Sequence, residues 1–170
     1  RALYRHRKKL INQRSREKNR LQNVLEDANI KLGSVVSDVF SKTGQAIIEH
    51  LIKGITDPVA LSNLAKGSLV RKKTELQKAL QGRFTEHHRF MAQLILDTIN
   101  SINEFISRIE TQMAKCSASI QHHINLLQTI PGVSYQSAIG IISEIGTNMA
   151  VFPSSKHLAS WAGICPGNYE

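Results

Sequence analysis

A proline and a glycine interrupt an apolar, helix-like stretch late in this sequence, LLQTIPGVSYQSAIGIISEIG at residues 126–146. Pro131 disfavours helical backbone in the residue before it, and Gly132 tolerates a left-handed backbone, so the first helix must end here. A second helix can begin after Ser134 as its N-cap. Exposed backbone N–H groups in such a turn bind phosphate oxygens. The pattern is typical of a plain turn between antiparallel helices or of a helix-hairpin-helix phosphate site. We favour the second, formed by Pro131, Gly132, Val133, Ser134 and Tyr135.

Positive charge is concentrated in two stretches of the sequence. The chain carries a formal net charge of +9, and residues 1–20 alone hold nine Lys or Arg and one acid, while residues 71–90 hold six and two. Such blocks indicate a polyanionic partner, although a solvated basic helix face gives the same pattern. We favour contacts with nucleic-acid phosphates. The candidate side chains are Arg14, Arg16, Arg20, Arg71, Lys72 and Lys73.

A few residues have types that occur in metal and acid sites. The potential metal ligands are His87, His88, His122, His123 and Cys116. Adjacent helical residues do not share a face, and zinc sites need three or four protein ligands, so we predict no metal site. Asp57 precedes Pro58 and fits a helix N-cap better than a catalytic acid.

The elements that would position these residues are helices. Apolar residues recur at intervals of three and four, and no strand pattern stands out. Residues 83–129 contain no Pro or Gly, and a single helix of that length would be about 70 Å long. Its heptad-like seam is Met91, Ile95, Thr98, Ile102, Phe105, Ile109, Gln112 and Cys116. We predict an all-α fold, a long coiled coil or helical hairpin followed by a small helix-hairpin-helix domain.

Three regions follow from these elements. Residues 1–82 form a basic helical linker region, residues 83–125 a long coiled-coil helix, and residues 126–170 the helix-hairpin-helix domain. The first helix is polar nearly all round between Ile11 and Leu21, so it needs a partner.

Several local features are also predicted. We expect two short helices on either side of Gly44, a helix over 57–67 and a single basic helix over 68–80. Gly140, in the middle of the second hairpin helix, indicates the close approach of another backbone. Trp161 is predicted to anchor a core.

Composition excludes some classes of protein. Two cysteines make no disulfide framework, which fits a reducing cytosolic setting. No apolar run reaches the roughly 18 residues of a membrane helix. The basic helices also lack the aromatic anchors of membrane-surface helices. We therefore predict a cytoplasmic protein with no membrane partner.

The motifs of the C-terminal part resemble one family of bacterial transposases. The matching motifs are IPGV, EIG, FPS with LASWAG, and PGN; in the N-terminal part they are RSREKNRLQNVLEDANIKL, DVF, TDP, LAKG and HHRF. Together they resemble the bridge-RNA-guided recombinases of the insertion-sequence one-hundred-ten type, which carry an N-terminal RuvC-like DEDD domain. The resemblance covers essentially the whole chain.

The resemblance implies a parent enzyme that cuts and rejoins DNA during transposition. An acidic site that binds Mg²⁺ would work with a serine nucleophile, and a coiled coil would join protomers into a homo-oligomer. DNA and a structured guide RNA would be partners in the bacterial nucleoid. The acidic cluster would lie upstream of Arg1 and the serine after the PGN stretch. We therefore expect a fragment truncated before that serine, with no catalytic residue and no cofactor of its own.

Other functions remain possible on the sequence alone. A helix-hairpin-helix repair protein would carry a catalytic Asp or Lys shortly after the hairpin, yet residues 147–160 contain only Lys156 and no Asp. A non-catalytic nucleic-acid-binding or coiled-coil adaptor is the other alternative, and it would not need any catalytic group.

Overall fold

The computed structural model of the chain describes residues 1–164, so the predictions on Cys165 and the PGN stretch lie outside the described residues. Over 1–164 the regular secondary structure is helical, with no strand, and the all-α prediction is confirmed. The α-helices are α1 (Ala2–Asp27), α2 (Lys42–Ile52), α3 (Pro58–Ser62), α4 (Lys73–Ala79), α5 (Glu86–Ser117), α6 (Gln121–Gln128), α7 (Tyr135–Ile145) and α8 (Ser155–Trp161). Short 3-10 helices lie at Leu32–Ser34, Gly67–Lys72, Ala118–Ile120 and Met149–Val151. Within this part of the chain, no helix has the length and apolar character needed to cross a membrane.

The chain divides into two compact units. The larger unit comprises Lys8–Arg108, and the smaller unit comprises Arg1–Arg7 together with the chain from Ile109 onward. Helices α1 and α5 each contribute residues to both units. The regions predicted from the sequence, with boundaries at 82 and 125, stay a prediction.

In the larger unit, α1 lies antiparallel to α5, which is the partner that its polar surface requires. Close to the end of α1, Asp27 Oδ2 lies 2.9 Å from His88 Nε2. Farther back, Arg14 Nη1 donates to Asn103 Oδ1 at 2.9 Å. Between them Glu17 is buried and accepts a hydrogen bond from Arg20 at 3.0 Å. Paired polar groups therefore replace apolar contacts in the middle of this helix.

The core of the larger unit gathers one apolar face from each of its longer helices. On α2 the buried side chains Ile47, Ile48 and Leu51 lie on one side of the helix, because Leu51 is four residues from Ile47 and three from Ile48. The fully buried large side chains of this core are Leu21, Leu25, Ile30, Leu32, Ile47, Ile48, Leu51, Leu61, Leu76 and Leu80. Full burial of one such side chain contributes about 1.5–3 kcal/mol relative to its exposure, so this core dominates the stability of the unit.

The buried face of α5 agrees with the predicted seam at two of its eight positions. Ile95 and Ile102 are buried as predicted, whereas Ile109 is half-buried and Cys116 is exposed. At the alternate positions the buried residues are Ala92, Ile99, Ile106 and Met113, each one residue later than the predicted Met91, Thr98, Phe105 and Gln112. Neighbouring residues on a helix point about 100° apart, because one turn takes 3.6 residues. Both sets of residues fit the helical period. The fold buries the set that contains neither Thr98 nor Gln112.

The stretch over 83–129 that lacks Pro and Gly does not form one continuous α-helix. Helix α5 ends at Ser117, a 3-10 turn follows, and α6 begins at Gln121. The Ser117 hydroxyl contacts the Ala114 carbonyl at 3.1 Å, a backbone contact that competes with regular helix, and lies 3.3 Å from the Tyr135 hydroxyl. After the break α6 buries Ile124 completely. A tertiary contact of Ser117 thus accompanies a helix interruption that no Pro or Gly marks.

The linker region also departs from its predicted helices. Gly44 lies inside α2 rather than between two helices, and a Cβ at this position would overlap the Val39 carbonyl. Helix α3 begins as predicted, with Asp57 accepting hydrogen bonds from the N–H groups of Val59 and Ala60, but it ends at Ser62. The predicted basic helix over 68–80 is divided into a 3-10 helix and α4.

The smaller unit has its own apolar core, to which α1 contributes its first turns. Buried Met113, Ile124, Ala138, Ile139 and Ile142 form its centre, with Leu3 and Tyr4 packed against them. Gly140 is buried, but what approaches it is the ring and hydroxyl of Tyr4, not a second backbone as predicted. Trp161 is 54% exposed and touches Phe152 edge-on, so its predicted role as a core anchor is wrong.

The contact between Gly140 and Tyr4 predicts a sign change in a double-mutant cycle. We expect Gly140→Ala to destabilise the protein by about 1–3 kcal/mol, because the new methyl group overlaps the tyrosine ring. In a Tyr4→Ala background the same change should be neutral or stabilising by up to about 1 kcal/mol, because alanine is the better helix former. Urea unfolding of the four proteins measures this, and an equal cost in both backgrounds would show that the contact is not the cause.

Candidate nucleic-acid interface

The turn between α6 and α7 has its tip open to solvent. The Val133 N–H donates to the Ile130 carbonyl at 3.1 Å, which closes a four-residue turn with Pro131 and Gly132 at its centre. Gly132 has φ +86°, the value that favours glycine at the third position of a type II turn. Pro131 and Gly132 are both exposed, and no atom lies within 4 Å of the position that a Gly132 Cβ would take. The backbone here is therefore accessible to a group as large as a phosphate.

Helix α7 begins where the sequence predicts it, with Ser134 as its N-cap. The Ser134 hydroxyl accepts from the Ser137 N–H at 3.2 Å, and its carbonyl accepts from the Ala138 N–H at 2.9 Å. Helix geometry leaves the earlier N–H groups, those of Tyr135 and Gln136, without an intrahelical partner. The Tyr135 side chain points away to Ser117, so a phosphate contact at this residue would use its backbone.

The three candidate arginines of α1 differ in how far they are engaged. Arg14 is half-buried and donates to Asn103, and Arg20 pairs with Glu17 three residues earlier. Arg16 is exposed, and no ion pair involves it within residues 1–164. Arg16 and Arg20 are four residues apart and share a face, whereas Arg14 points elsewhere.

The three basic residues at 71–73 also differ in their contacts. Lys73 Nζ donates to Asn63 Oδ1 at 3.2 Å. Lys72 is one of the residues that line a surface cavity beside the 3-10 helix Gly67–Lys72. Arg71 is exposed. All six candidate cations belong to the larger unit and the five turn residues to the smaller unit.

Comparisons with known proteins address the C-terminal part of the chain. Residues 124–170, which include the turn and α7, match the model of the family described as Transposase IS116/IS110/IS902 family. This C-terminal segment is similar to that family, and we refer to residues 124–170 as the transposase segment. The transposase segment starts within α6, at the fully buried Ile124.

Two curated relatives match less than half of the chain. Both are pilin gene-inverting proteins, from Moraxella bovis at 31% identity and from Moraxella lacunata at 30%, each over 77 residues. The match covers 44% of this chain and 24% of each relative, so the chain spans about a quarter of the length of these relatives. No solved structure matches the chain.

The sequence does not predict the ion-pair cluster that Glu144 forms on the transposase segment. Glu144 on α7 accepts from Arg1 Nε at 2.7 Å and from Arg5 Nε and Nη2 at 2.8 and 2.7 Å. The hydrogen bonds from Arg5 and then Arg1 lower the pKa of this carboxyl to about 2. Arg7 pairs in turn with Glu110 at 2.6 Å. No sequence signal connects residues that are 139 and 143 positions apart. The sequence therefore overstates how many of the cations at 1–20 are unpaired.

His88 is engaged in capping a helix. Thr85 precedes α5, and its backbone N–H donates to His88 Nδ1 at 3.1 Å, while its hydroxyl accepts from the His88 N–H at 3.4 Å. This reciprocal pair is a capping box with histidine in the place of the usual glutamate. Because Nδ1 accepts a hydrogen bond there, Nε2 carries the hydrogen that is donated to Asp27. Among the described residues, no group of three or more His, Cys, Asp or Glu is arranged to hold a metal ion.

The Glu144 cluster predicts a pH-dependent stability. The pKa of Glu144 is lower in the folded chain than the value near 4.3 of an unfolded glutamate, so its contribution is fully present above about pH 5 and is lost as the pH falls towards 2. Glu144→Gln should lower the melting temperature at pH 7, and the gap to wild type should close by about pH 2. Thermal unfolding followed by circular dichroism measures it.

The matched control is Glu104→Gln. Glu104 is an exposed glutamate on α5 that joins no ion pair within residues 1–164. Its replacement should leave the melting temperature nearly unchanged across the same pH range. A gap between wild type and Glu144→Gln that stays constant with pH would contradict the role of this carboxylate.

Proposed function

We propose that the chain is the DNA-binding and oligomerisation part of a transposase or site-specific recombinase that moves an insertion sequence by DNA cleavage and strand exchange. The transposase segment at 124–170 supports this, and so do relatives whose name states that they invert a pilin gene. The observation that carries the proposal is the open turn at Gly132. It offers unobstructed backbone within the transposase segment.

At this turn the phosphate would be bound by backbone rather than by side chains. The N–H groups of Tyr135 and Gln136 point along the axis from the N-terminus of α7, where the helix dipole favours an anion. Gly132 lets the phosphate approach because no side chain shields the turn. Pro131 offers no N–H, so it would set the turn geometry rather than contact the ligand.

The basic residues of the larger unit would add non-specific electrostatic contacts. Lys8, Lys9 and Arg16 are exposed on α1 and join no ion pair in the described chain. They and the exposed Arg71 are suited to the phosphates of DNA and of a structured guide RNA. The pairing of Arg1, Arg5, Arg7 and Arg20 with carboxylates makes these four weaker candidates.

Large apolar side chains on the outside of α5 support the proposed homo-oligomer. Phe90, Leu94 and Phe105 are 66%, 50% and 47% exposed. They recur at steps of four and eleven, which return to nearly the same side of a helix. Exposed apolar patches of this kind mark interaction surfaces. A second copy of α5 would bury them in the protomer contact.

The parent protein would be a DNA recombinase of the bacterial cytoplasm, associated with the nucleoid, and the catalytic groups would lie outside this chain. The Mg²⁺ implied for such an enzyme does not fit the described residues, which hold no suitable carboxylate cluster. We therefore assign no catalytic step to them. The alternative is a non-catalytic nucleic-acid-binding adaptor with the same two surfaces. Sequencing the gene on both sides of the segment distinguishes the two through an acidic domain before it and a serine after it.

The turn predicts that one substitution lowers DNA affinity, separately from the salt dependence that the basic residues give. Each phosphate neutralised adds about 0.9 to the slope of log affinity against log salt concentration. Gly132→Asn should keep the turn, because asparagine tolerates a positive φ, but its side chain should exclude the phosphate. Affinity for a short duplex should fall, whereas the slope should change little, because the lost donors are uncharged N–H groups and not Lys or Arg. Fluorescence anisotropy at several salt concentrations measures both.

Gly163→Asn is the control for this variant. Gly163 also has a positive φ, +70°, with no atom within 4 Å of its Cβ position, but it follows α8 rather than the turn. It should bind DNA like wild type. Salt-insensitive binding by the wild-type chain, or none at about 50 mM salt, would overturn the proposed DNA contact.

The α5 surface predicts an oligomer that charge disrupts. Wild type should be larger than one protomer by light scattering, and Leu94→Glu with Phe105→Glu should reduce it to a monomer, because the contact would bury unpaired carboxylates. Val59→Glu, at an apolar residue of α3 that is 55% exposed, should not change the mass. A monomeric wild type, or an unchanged mass in the α5 variant, would exclude this surface.

A further inference from the structure

A surface cavity in the larger unit combines three lysines with several hydroxyl groups. It has a volume of about 450 Å³ and lies between the N-terminus of α2 and the 3-10 helix Gly67–Lys72. Its polar lining is Lys42, Lys66, Lys72, Ser37, Ser41, Thr43 and Ser68. We refer to this cavity as the lysine pocket. No Asp or Glu lines it.

The three ammonium groups of the lysine pocket are not neutralised within the chain. None of them takes part in an ion pair in the described residues. Asp38 is close in sequence, but it does not line the pocket and its Oδ1 accepts from the Phe40 N–H at 2.8 Å. Three like charges around one cavity repel one another, and a bound anion removes that repulsion. The charge therefore favours an anionic ligand.

The backbone of the pocket is also arranged to donate hydrogen bonds. At the start of α2, Ser41 accepts from the N–H groups of Gly44 and Gln45, at 3.3 and 2.9 Å. The N–H groups of Lys42 and Thr43 are the two that helix geometry leaves without an intrahelical partner. The helix dipole places partial positive charge at the same point.

One hydrogen bond joins the two sides of the pocket. The Lys66 N–H donates to the Thr43 hydroxyl at 3.2 Å, which joins the α2 side to the segment before the 3-10 helix. On the opposite wall, Gly67 has φ +61° and no atom lies within 4 Å of its Cβ position. Gly67 lines the pocket without a side chain. A tetrahedral oxyanion in the pocket would be surrounded by lysines, hydroxyl groups and backbone.

We propose that the lysine pocket binds a phosphate group, with Lys42, Lys66 and Lys72 as its cationic ligands. The source assigned to it is a phosphate of the bound nucleic acid, which rests on the proposed function; a free phosphate has the same chemistry and is distinguished below. The three basic residues at 71–73 therefore have different roles. Lys72 binds the phosphate, Arg71 lies outside the pocket lining, and Lys73 is engaged with Asn63.

The first experiment uses inorganic phosphate alone as the probe. In ¹H–¹⁵N spectra of the full chain, phosphate should shift the amide signals of Lys42, Thr43 and Gly67. A Lys42→Gln, Lys66→Gln, Lys72→Gln triple variant should lose these shifts. Lys53→Gln, at the exposed C-cap of the same helix, should retain them. Equal circular dichroism spectra and melting temperatures establish that the variants are folded. Absence of saturable shifts in the wild type overturns the pocket.

The second experiment tests the source of the phosphate with a short DNA duplex. If three lysines hold one phosphate, the triple variant should lower the log–log salt slope by about 0.9, the value for one phosphate, rather than by about 2.7. A decrease of about 2.7 overturns the pocket in favour of three separate surface contacts. An unchanged slope, with the phosphate shifts retained, overturns the nucleic acid as the source and supports a free phosphate. If the wild type does not bind DNA, the proposed function fails while the phosphate titration still decides the pocket.

Discussion

Helix α1 depends on α5, and the larger unit depends on that pairing. An isolated helix with so many charged residues would have little apolar surface to bury, and most helical stability in proteins comes from such burial. Leu10, Leu21 and Leu25 are the buried apolar residues of α1. In the polar stretch of α1, Arg14 contacts Asn103, and at the C-terminal end of α1, Asp27 contacts His88. These two contacts maintain the antiparallel pairing. The buried side chains of α2, α3 and α4 complete the same core.

The contacts that α1 makes with other parts of the chain determine which of its positive charges are available for a ligand. From the sequence, residues 1–20 form one block with a large excess of positive charge. In the fold, Arg1 and Arg5 pair with Glu144, Lys18 lies over the Phe40 ring at 4.4 Å, and only part of the block is free to attract an anion. Since an ion pair must be broken or rearranged before its cation can bind a phosphate, the unpaired residues should contribute most to binding. A count of charges overestimates the basic surface for this reason.

The sequence predicted the features that depend on neighbouring residues. The all-α class, the Asp57 and Ser134 caps and the turn at Pro131–Gly132 each rest on interactions within four residues, and each is present. Features that depend on distant contacts were not predicted. The Ser117–Tyr135 contact accompanies the interruption after α5, and Gly140 meets Tyr4 rather than a backbone. Trp161, predicted to anchor a core, lies at the surface. Of the candidate site, the sequence indicated the turn and the cations but not the Glu144 cluster or the lysine pocket.

The proposed contacts share a property that limits what this chain can recognise. Backbone N–H groups at the turn and lysines around the pocket bind phosphate oxygens, which are alike at every base. Such contacts set affinity and position, and they let a protein hold nucleic acid without regard to its sequence. If the chain acts within a recombinase, the choice of a DNA site must therefore come from elsewhere, and base pairing by the proposed guide RNA would supply it. On that division of roles, substitutions in the turn or the lysine pocket should weaken binding to all sequences equally.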